Sequence, residues 1–240
     1  MLILALDTTG EEGGVGIFRD AGCLALAPNR GKANQYSITL FELVGQALAE
    51  AQLQLRDIDL YAAANGPGSF TGIRVGLAAA MAWARAFERP VIGVSVLEAM
   101  LYKAQPASQW TFPVMDAGRG EFYVASFRRS PSESHHEAQA SFESVDQGWL
   151  FKPDSLRAFI AERVAENAVA SCIVRANDRS AIDFQASLPA SITPHRVEGI
   201  LVETIAAIAS KQAQSTHAPK SAKLDAYYLR RPDAEMNWKE

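Results

Sequence analysis

The segment Asn65-Gly66-Pro67-Gly68-Ser69-Phe70-Thr71-Gly72-Ile73-Arg74 limits the folds open to this 240-residue chain more than any other stretch. It separates an apolar run, Ile58 to Ala64, that reads as a strand from a helically spaced run, Thr71 to Phe87. Glycine and proline permit a tight turn between them, and Ser69 or Thr71 is placed to cap the helix. A buried strand feeding a helix through so short a turn is an α/β unit, which predicts a mixed sheet covered by helices. Free amides at a helix start also attract anions, helped by about half a positive charge from the helix dipole. Two readings therefore stand for Gly68, Ser69 and Thr71: a turn and cap, or a cradle for a cofactor phosphate. The Lys-Ser/Thr pair of a P-loop is missing, and the glycine spacing does not match a dinucleotide fingerprint.

Upstream, Leu2 to Leu6, Gly14 to Phe18 and Cys23 to Ala27 read as three strands separated by glycine-rich or Asp-containing breaks. Helical spacing follows from Gln35 to Leu53, and after the central turn and helix come a strand, Pro90 to Val94, and a helix near Ser95 to Gln105. The N-terminal lobe is placed at residues 1–105. A C-terminal lobe, 106–240, begins with a strand pair, Thr111 to Met115 and Glu121 to Phe127, around Asp116-Ala117-Gly118-Arg119-Gly120. Arg128 to Glu137 reads as a loop, Ser171 to Val174 as a strand, and Asp154 to Ala165 and Val197 to Ala213 as helices. Gln214 to Lys223 is a polar lead into Tyr227-Tyr228-Leu229-Arg230, with the last helix free to pack back on the first lobe. The order of elements echoes the first half without a residue-level repeat, so duplication is expected only as topology.

Lysine and arginine number 23 against 27 aspartates and glutamates, a net charge of -4, so no global positive field is available to hold a nucleic acid by phosphate neutralisation alone. Cys23 and Cys172 lie far apart without CxxC spacing, which fits a reducing, cytoplasmic setting and argues against a zinc knuckle. Met1 to Leu6 lacks a basic flank and stops at Asp7, too short for a signal peptide. Val75 to Ala84, bounded by Arg74 and Arg85, falls well short of the roughly 20 residues a membrane span needs.

Asp7-Thr8-Thr9-Gly10 closes the first strand, where Asp7 and Thr8 are able to face a nucleotide phosphate and hydrated magnesium; a turn bonded to its own backbone explains the same residues. Asp116 is equally two-sided. His135, His136, His195 and His217 form no HxxxH or HExxH pair, so no metal site is expected, and all four are assigned to surface or loops. Without a GxSxG elbow or a base beside Ser69, a serine hydrolase is unsupported, and no catalytic residue is assigned. Arg128-Arg129 and Arg230-Arg231 read as solvated pairs.

Two helices carry more apolar surface than one core face requires. In the first, Phe41, Val44, Leu48 and Ala51 form a stripe assigned to the core, and Leu40, Leu43 and Ala47 form an adjacent one. In the second, Ile73, Leu77, Ala80, Ala84 and Phe87 share a stripe flanked by Gly76, Ala79, Ala82 and Trp83, and small residues let another helix approach closely. Leu40, Leu43, Ala47, Gly76, Ala79 and Trp83 are accordingly expected to meet a partner, the alternative being a helix pair buried within its own lobe.

Leu4-Ala5-Leu6-Asp7-Thr8, the Gly66 to Gly72 loop running into Ile73-Arg74-Val75-Gly76, and Val91-Ile92-Gly93-Val94-Ser95 occur in an order that resembles the bacterial tRNA threonylcarbamoyladenosine biosynthesis family TsaB, also called YeaZ. Asp116 to Tyr123 looks like that family's entry into the second lobe, and Tyr228-Leu229-Arg230 like part of its ending; Arg128 to Lys220 matches loosely. The resemblance implies an α/β actin and sugar-kinase-like (ASKHA) fold of two related lobes in the glycoprotease-like superfamily. It also implies a cytoplasmic, non-catalytic subunit that forms a heterodimer with the catalytic paralogue TsaD and works with the ATPase TsaE. The assembly transfers a threonylcarbamoyl group to the adenosine beside the tRNA anticodon. The chain is then expected to reach tRNA through the complex, to have no cofactor of its own, to leave any ATP or magnesium to the complex, and to pair with a second copy when alone. Tyr36-Ser37 stands where relatives often have His-Ser. The competing readings are a small-molecule kinase of the same superfold using Asp7 and Thr8, and a glycoprotease, for which no zinc ligand set is present.

Overall fold

The computed structural model describes residues 1–20, 22–29, 36–130, 141–164, 168–214, 224–226 and 229. The chain divides into two compact units: residues 1–99 with those from Ile200 onward, and residues 100–199. The division falls within one helix, a few residues before the 105/106 boundary expected from sequence, and the residues from Ile200 onward cluster with the first unit.

In the first unit, β1 (Leu2–Asp7), β2 (Gly13–Arg19) and β3 (Gly22–Asn29) form an antiparallel meander. Helix α1 (Tyr36–Ala51) leads to β4 (Leu60–Gly66), parallel to β1, and α2 (Phe70–Ala86) leads to β5 (Val91–Ser95), parallel to β4. The sheet order is β3-β2-β1-β4-β5. Side chains alternate across it: Leu4 and Leu6 join a core with Val44, Ile73 and Leu77 under α1 and α2, while Ile3 and Ala5 are buried on the other face.

Helix α3 (Val96–Ala104) carries the unit boundary. In the second unit β6 (Trp110–Gly118) turns into β7 (Glu121–Val124), followed by the short β8 (Phe127–Arg129), β9 (Phe142–Ser144) and β10 (Trp149–Phe151). Helix α4 (Pro153–Arg163), β11 (Ala170–Arg175), α5 (Arg179–Ala186) and β12 (Ile192–Val197) complete it, and the final α6 (Val202–Gln214) packs on β1, β2, β4 and β5 of the first unit. The second sheet runs β10-β7-β6-β11-β12, with β8 pairing β6 and β9. Strand senses repeat those of the first sheet: two antiparallel pairings, then two parallel ones. The halves are related at the level of topology, two mixed sheets flanked by helices.

Several second-half elements differ from the sequence-based expectation. The helix expected from Val197 begins at Val202, because Val197 ends β12 opposite Arg175. Strand β12 is hidden in sequence because it is an edge strand with only Ile192 and Val197 buried and with Pro194 inside it, a residue that edge strands tolerate. Helix α5 buries only Ala181, Phe184 and Gln185, too few to stand out by spacing. The strand expected from Glu121 to Phe127 breaks after Val124, and β8 reaches Arg129, inside the expected loop. Most of that loop, Ala21, His135, His136, residues 215–223 with His217, Tyr227, Tyr228 and Arg230-Arg231 lie outside the described residues.

Candidate functional site

The glycine-rich turn meets the end of β1. Asp7, Thr8 and Thr9 are buried, and one carboxylate oxygen of Asp7 accepts from the Thr9 amide at 3.0 Å and from its hydroxyl at 2.6 Å. The Thr9 carbonyl accepts the Ser69 amide at 2.8 Å. The Thr8 hydroxyl donates to the Gly72 carbonyl at 2.7 Å, and Ser69 caps α2 by accepting the Gly72 amide at 3.3 Å.

Gly68, Gly72 and Gly76 recur every fourth residue: Gly72 and Gly76 share one face of α2, and Gly68 stands just before its cap, Ser69. A Cβ on Gly68 would come within 3.0 Å of the Thr9 carbonyl, one on Gly72 within 3.0 Å of the Thr8 carbonyl, and one on Gly76 within 3.0 Å of the Thr8 hydroxyl. The three glycines thus form a groove filled by the Thr8-Thr9 backbone. Gly66, at φ 116°, makes the turn possible and precedes a cis bond to Pro67. Of the residues expected to hold a phosphate, Asp7, Thr8, Gly68 and Ser69 come together in this junction, while Thr71 is exposed on the first turn of α2. Thr9 and Gly72 complete it; the spacing of Gly72 from Gly68 and Gly76 was a sequence signal for Gly72, and Thr9 had none beyond its place in Asp7-Thr8-Thr9-Gly10.

The second lobe repeats the first turn in an open form. Asp116 accepts the Gly118 amide at 2.7 Å, as Asp7 accepts that of Thr9, and Asp178 both caps α5 through the Ala181 amide at 2.9 Å and accepts the Asp116 amide at 2.8 Å. Asp116 is exposed, at a hairpin whose Gly118, Arg119 and Gly120 all have positive φ.

The partner stripe expected on α1 and α2 faces inward. Leu40, Leu43, Ala47, Ala79 and Trp83 are buried in the first unit's own core, and Gly76 lies against Thr8. Val44 of the stripe assigned to the core is buried with them, and Leu48 and Ala51 pack against the same core, so the two stripes merge into one broad inward face from which Phe41 is left out. Left outward on α1 are Ile38, 79% exposed, and Phe41, 65% exposed, with open space above Gly45. Phe41 touches Trp83 edge-on, ring centroids 6.1 Å apart, so the exposed ring rests on the α2 core. Ala78 and Ala82 of α2 are also exposed.

Candidate nucleophiles elsewhere are muted. Burial pushes the Cys172 thiol up to about 12, against the opposing Gln185 hydrogen bond, and burial also raises Cys23. His195 is lowered by burial, and its Nε2 lies 3.1 Å from the Ser171 hydroxyl on the neighbouring strand. Among the described residues, no group of three His, Cys, Asp or Glu is placed to hold a metal ion, and no helix is long and apolar enough to cross a membrane.

Comparison with known proteins adds the following. Residues 30–167 match the family model of TsaD, tRNA N6-adenosine threonylcarbamoyltransferase. The tRNA threonylcarbamoyladenosine biosynthesis protein TsaB of Escherichia coli is 33% identical over 141 residues, 57% of this chain and 59% of that protein. Its Bacillus subtilis counterpart is 29% identical over 128 residues, 53% of this chain and 56% of that protein. The chain thus spans a little over half the length of these two curated relatives. The crystal structure of an uncharacterized protein with similarity to peptidase YeaZ from Pseudomonas aeruginosa superposes with a TM-score of 0.71 at 20% identity, covering 95% of this chain and 99% of that one. That likeness shows the fold, two mixed sheets flanked by helices.

Proposed function

The chain belongs to the TsaD family, tRNA N6-adenosine threonylcarbamoyltransferase, and from that membership we propose that it serves threonylcarbamoyladenosine formation in tRNA as a supporting subunit without chemistry of its own. One observation carries the reading: the strand-to-helix junction where a nucleotide phosphate would be sought is filled by Thr8 and Thr9, with the Thr9 carbonyl bonded to the Ser69 amide and the two hydroxyls to the Gly72 carbonyl and the Asp7 carboxylate. Backbone amides bound to protein groups are not offered to a ligand. The likeness to proteins named TsaB supports the same assignment.

In this reading the partner is the catalytic TsaD paralogue, with the ATPase TsaE acting on the assembled pair and tRNA bound through the complex. The docking face is the outer side of α1 and α2, centred on Ile38 and Phe41 rather than on Leu40 and Leu43. An exposed isoleucine and phenylalanine on one helix, beside the small residues Gly45, Ala78 and Ala82, form an apolar centre into which another helix fits closely. The test is reconstitution: purified TsaD and TsaE from the same organism, threonylcarbamoyl-adenylate and tRNA, with and without this chain. Modification is expected only with the chain present. Equal modification without it, or modification by the chain alone, overturns the proposal.

A further inference from the structure

Leu224 and Ala226 are partly buried against the core that Leu40, Ile73 and Leu77 build beneath α1 and α2. The Leu224 amide donates to the Met81 thioether sulfur at 3.5 Å, and Met81 sits one helical turn from Leu77 and three residues from Ala84. Asp225 between them is exposed, the in-out-in alternation of an extended segment laid along an apolar surface. Helix α6, ten residues earlier, packs on the opposite side of the same sheet. It meets β1, β2, β4 and β5, none of its described residues joins the α1/α2 core, and Ile3 and Ala5 are buried on its side. The chain from Gln214 to Leu224 reaches about 33 Å when extended. That exceeds the roughly 20 Å between helix layers on the two faces of a sheet.

We propose that α6 and the segment Leu224–Ala226 together form a clasp on the first lobe: α6 closes one face of the five-stranded sheet, and Leu224–Ala226 lies on the other face and pins the C-terminal half of α2 through Met81. The two halves of α2 are then held by different devices. Gly68, Gly72 and Gly76 lock its beginning onto Thr8 and Thr9, while the returning segment holds the part beyond Met81. Releasing the clasp loosens α2 locally, leaving the glycine junction and α6 in place.

Amide hydrogen exchange on the full-length chain tests this. Leu224→Asp, and separately Leu224→Ala in case the charge prevents folding, is compared with Asp225→Ala at the exposed position between the two contacts. Exchange in the Met81–Ala86 stretch is expected to speed up roughly tenfold in the Leu224 variants, on the scale of losing a half-buried leucine contact. Peptides from α6 and from the Thr8 junction should keep wild-type rates, as should the Asp225 variant throughout. Wild-type exchange in α2 for both Leu224 variants, or equal acceleration in α2 and α6, overturns the proposal.

Discussion

The hydroxyl of Thr8 donates to the carbonyl of Gly72 across a separation of 64 residues, at 2.7 Å, and fastens the end of the first strand to the first turn of α2. The bond forms because neither Gly72 nor Gly76 carries a side chain. Gly72→Ala sets two effects against each other. Alanine is the better helix former by about 1 kcal/mol. Its methyl group, however, would meet the Thr8 backbone carbonyl, which cannot rotate away, and overpacking costs about 1–3 kcal/mol or more. The clash should win. A lower midpoint in urea unfolding is expected, and an unchanged or higher midpoint contradicts the packing described. Thr8→Val, which keeps the shape and removes the hydroxyl, should cost about 1–2 kcal/mol by the same measurement.

Because that junction is filled, the isolated chain should not respond to nucleotide. A ligand at a hundredfold excess over its dissociation constant stabilises the folded state by about 2.7 kcal/mol, easily seen as a rise in melting temperature. Magnesium and ATP at millimolar concentration are expected to leave the melting curve unchanged. A clear rise that disappears in Asp7→Asn would restore the kinase reading of Asp7 and Thr8.

How much of this was legible in the sequence depends on how loudly each element announces itself. Strands β1 and β4 are nearly continuous apolar runs, and the glycine turn admits few conformations, so the first lobe could be read almost element by element. Strand β12 and helix α5 bury two or three side chains each and look like loop. The site was legible in its parts but not in its use: a helix start rich in glycine reads the same whether its groove receives a phosphate or a neighbouring strand end. The same limit applies to α1, where helical spacing groups Phe41 with Val44, Leu48 and Ala51 but does not reveal that Phe41 alone of the four stays exposed.

In the second lobe the half-buried imidazole of His195 should make stability depend on pH. Burial depresses its pKa below the ordinary 6.5, so the unfolded chain binds the proton more readily than the folded one. The stability this gives is complete above about pH 6.5 and is lost as pH falls through the lower folded value. A declining denaturation midpoint is expected over that acidic range. His195→Asn, which retains a polar group near Ser171, should flatten that part of the profile; an identical slope in the variant would assign it to other groups.

The docking face gives the most discriminating prediction, because buried and exposed apolar residues alternate on one helix. Leu43 and Ala79 are in the core, so Leu43→Glu and Ala79→Arg bury an unpaired charge and should unfold the first lobe, with lost circular dichroism. Ile38 and Phe41 face outward, so Ile38→Glu and Phe41→Glu should leave folding almost unchanged, apart from the Phe41–Trp83 edge contact, worth about 1 kcal/mol. If this face binds TsaD, a charge at its apolar centre should cost about 2 kcal/mol or more of association. That corresponds to a roughly thirtyfold weaker complex, and it should appear in light scattering and in the tRNA modification assay together. Ile38→Glu and Phe41→Glu both binding TsaD at wild-type affinity would remove α1 from the interface, because these two are the large apolar side chains that α1 exposes among its described residues.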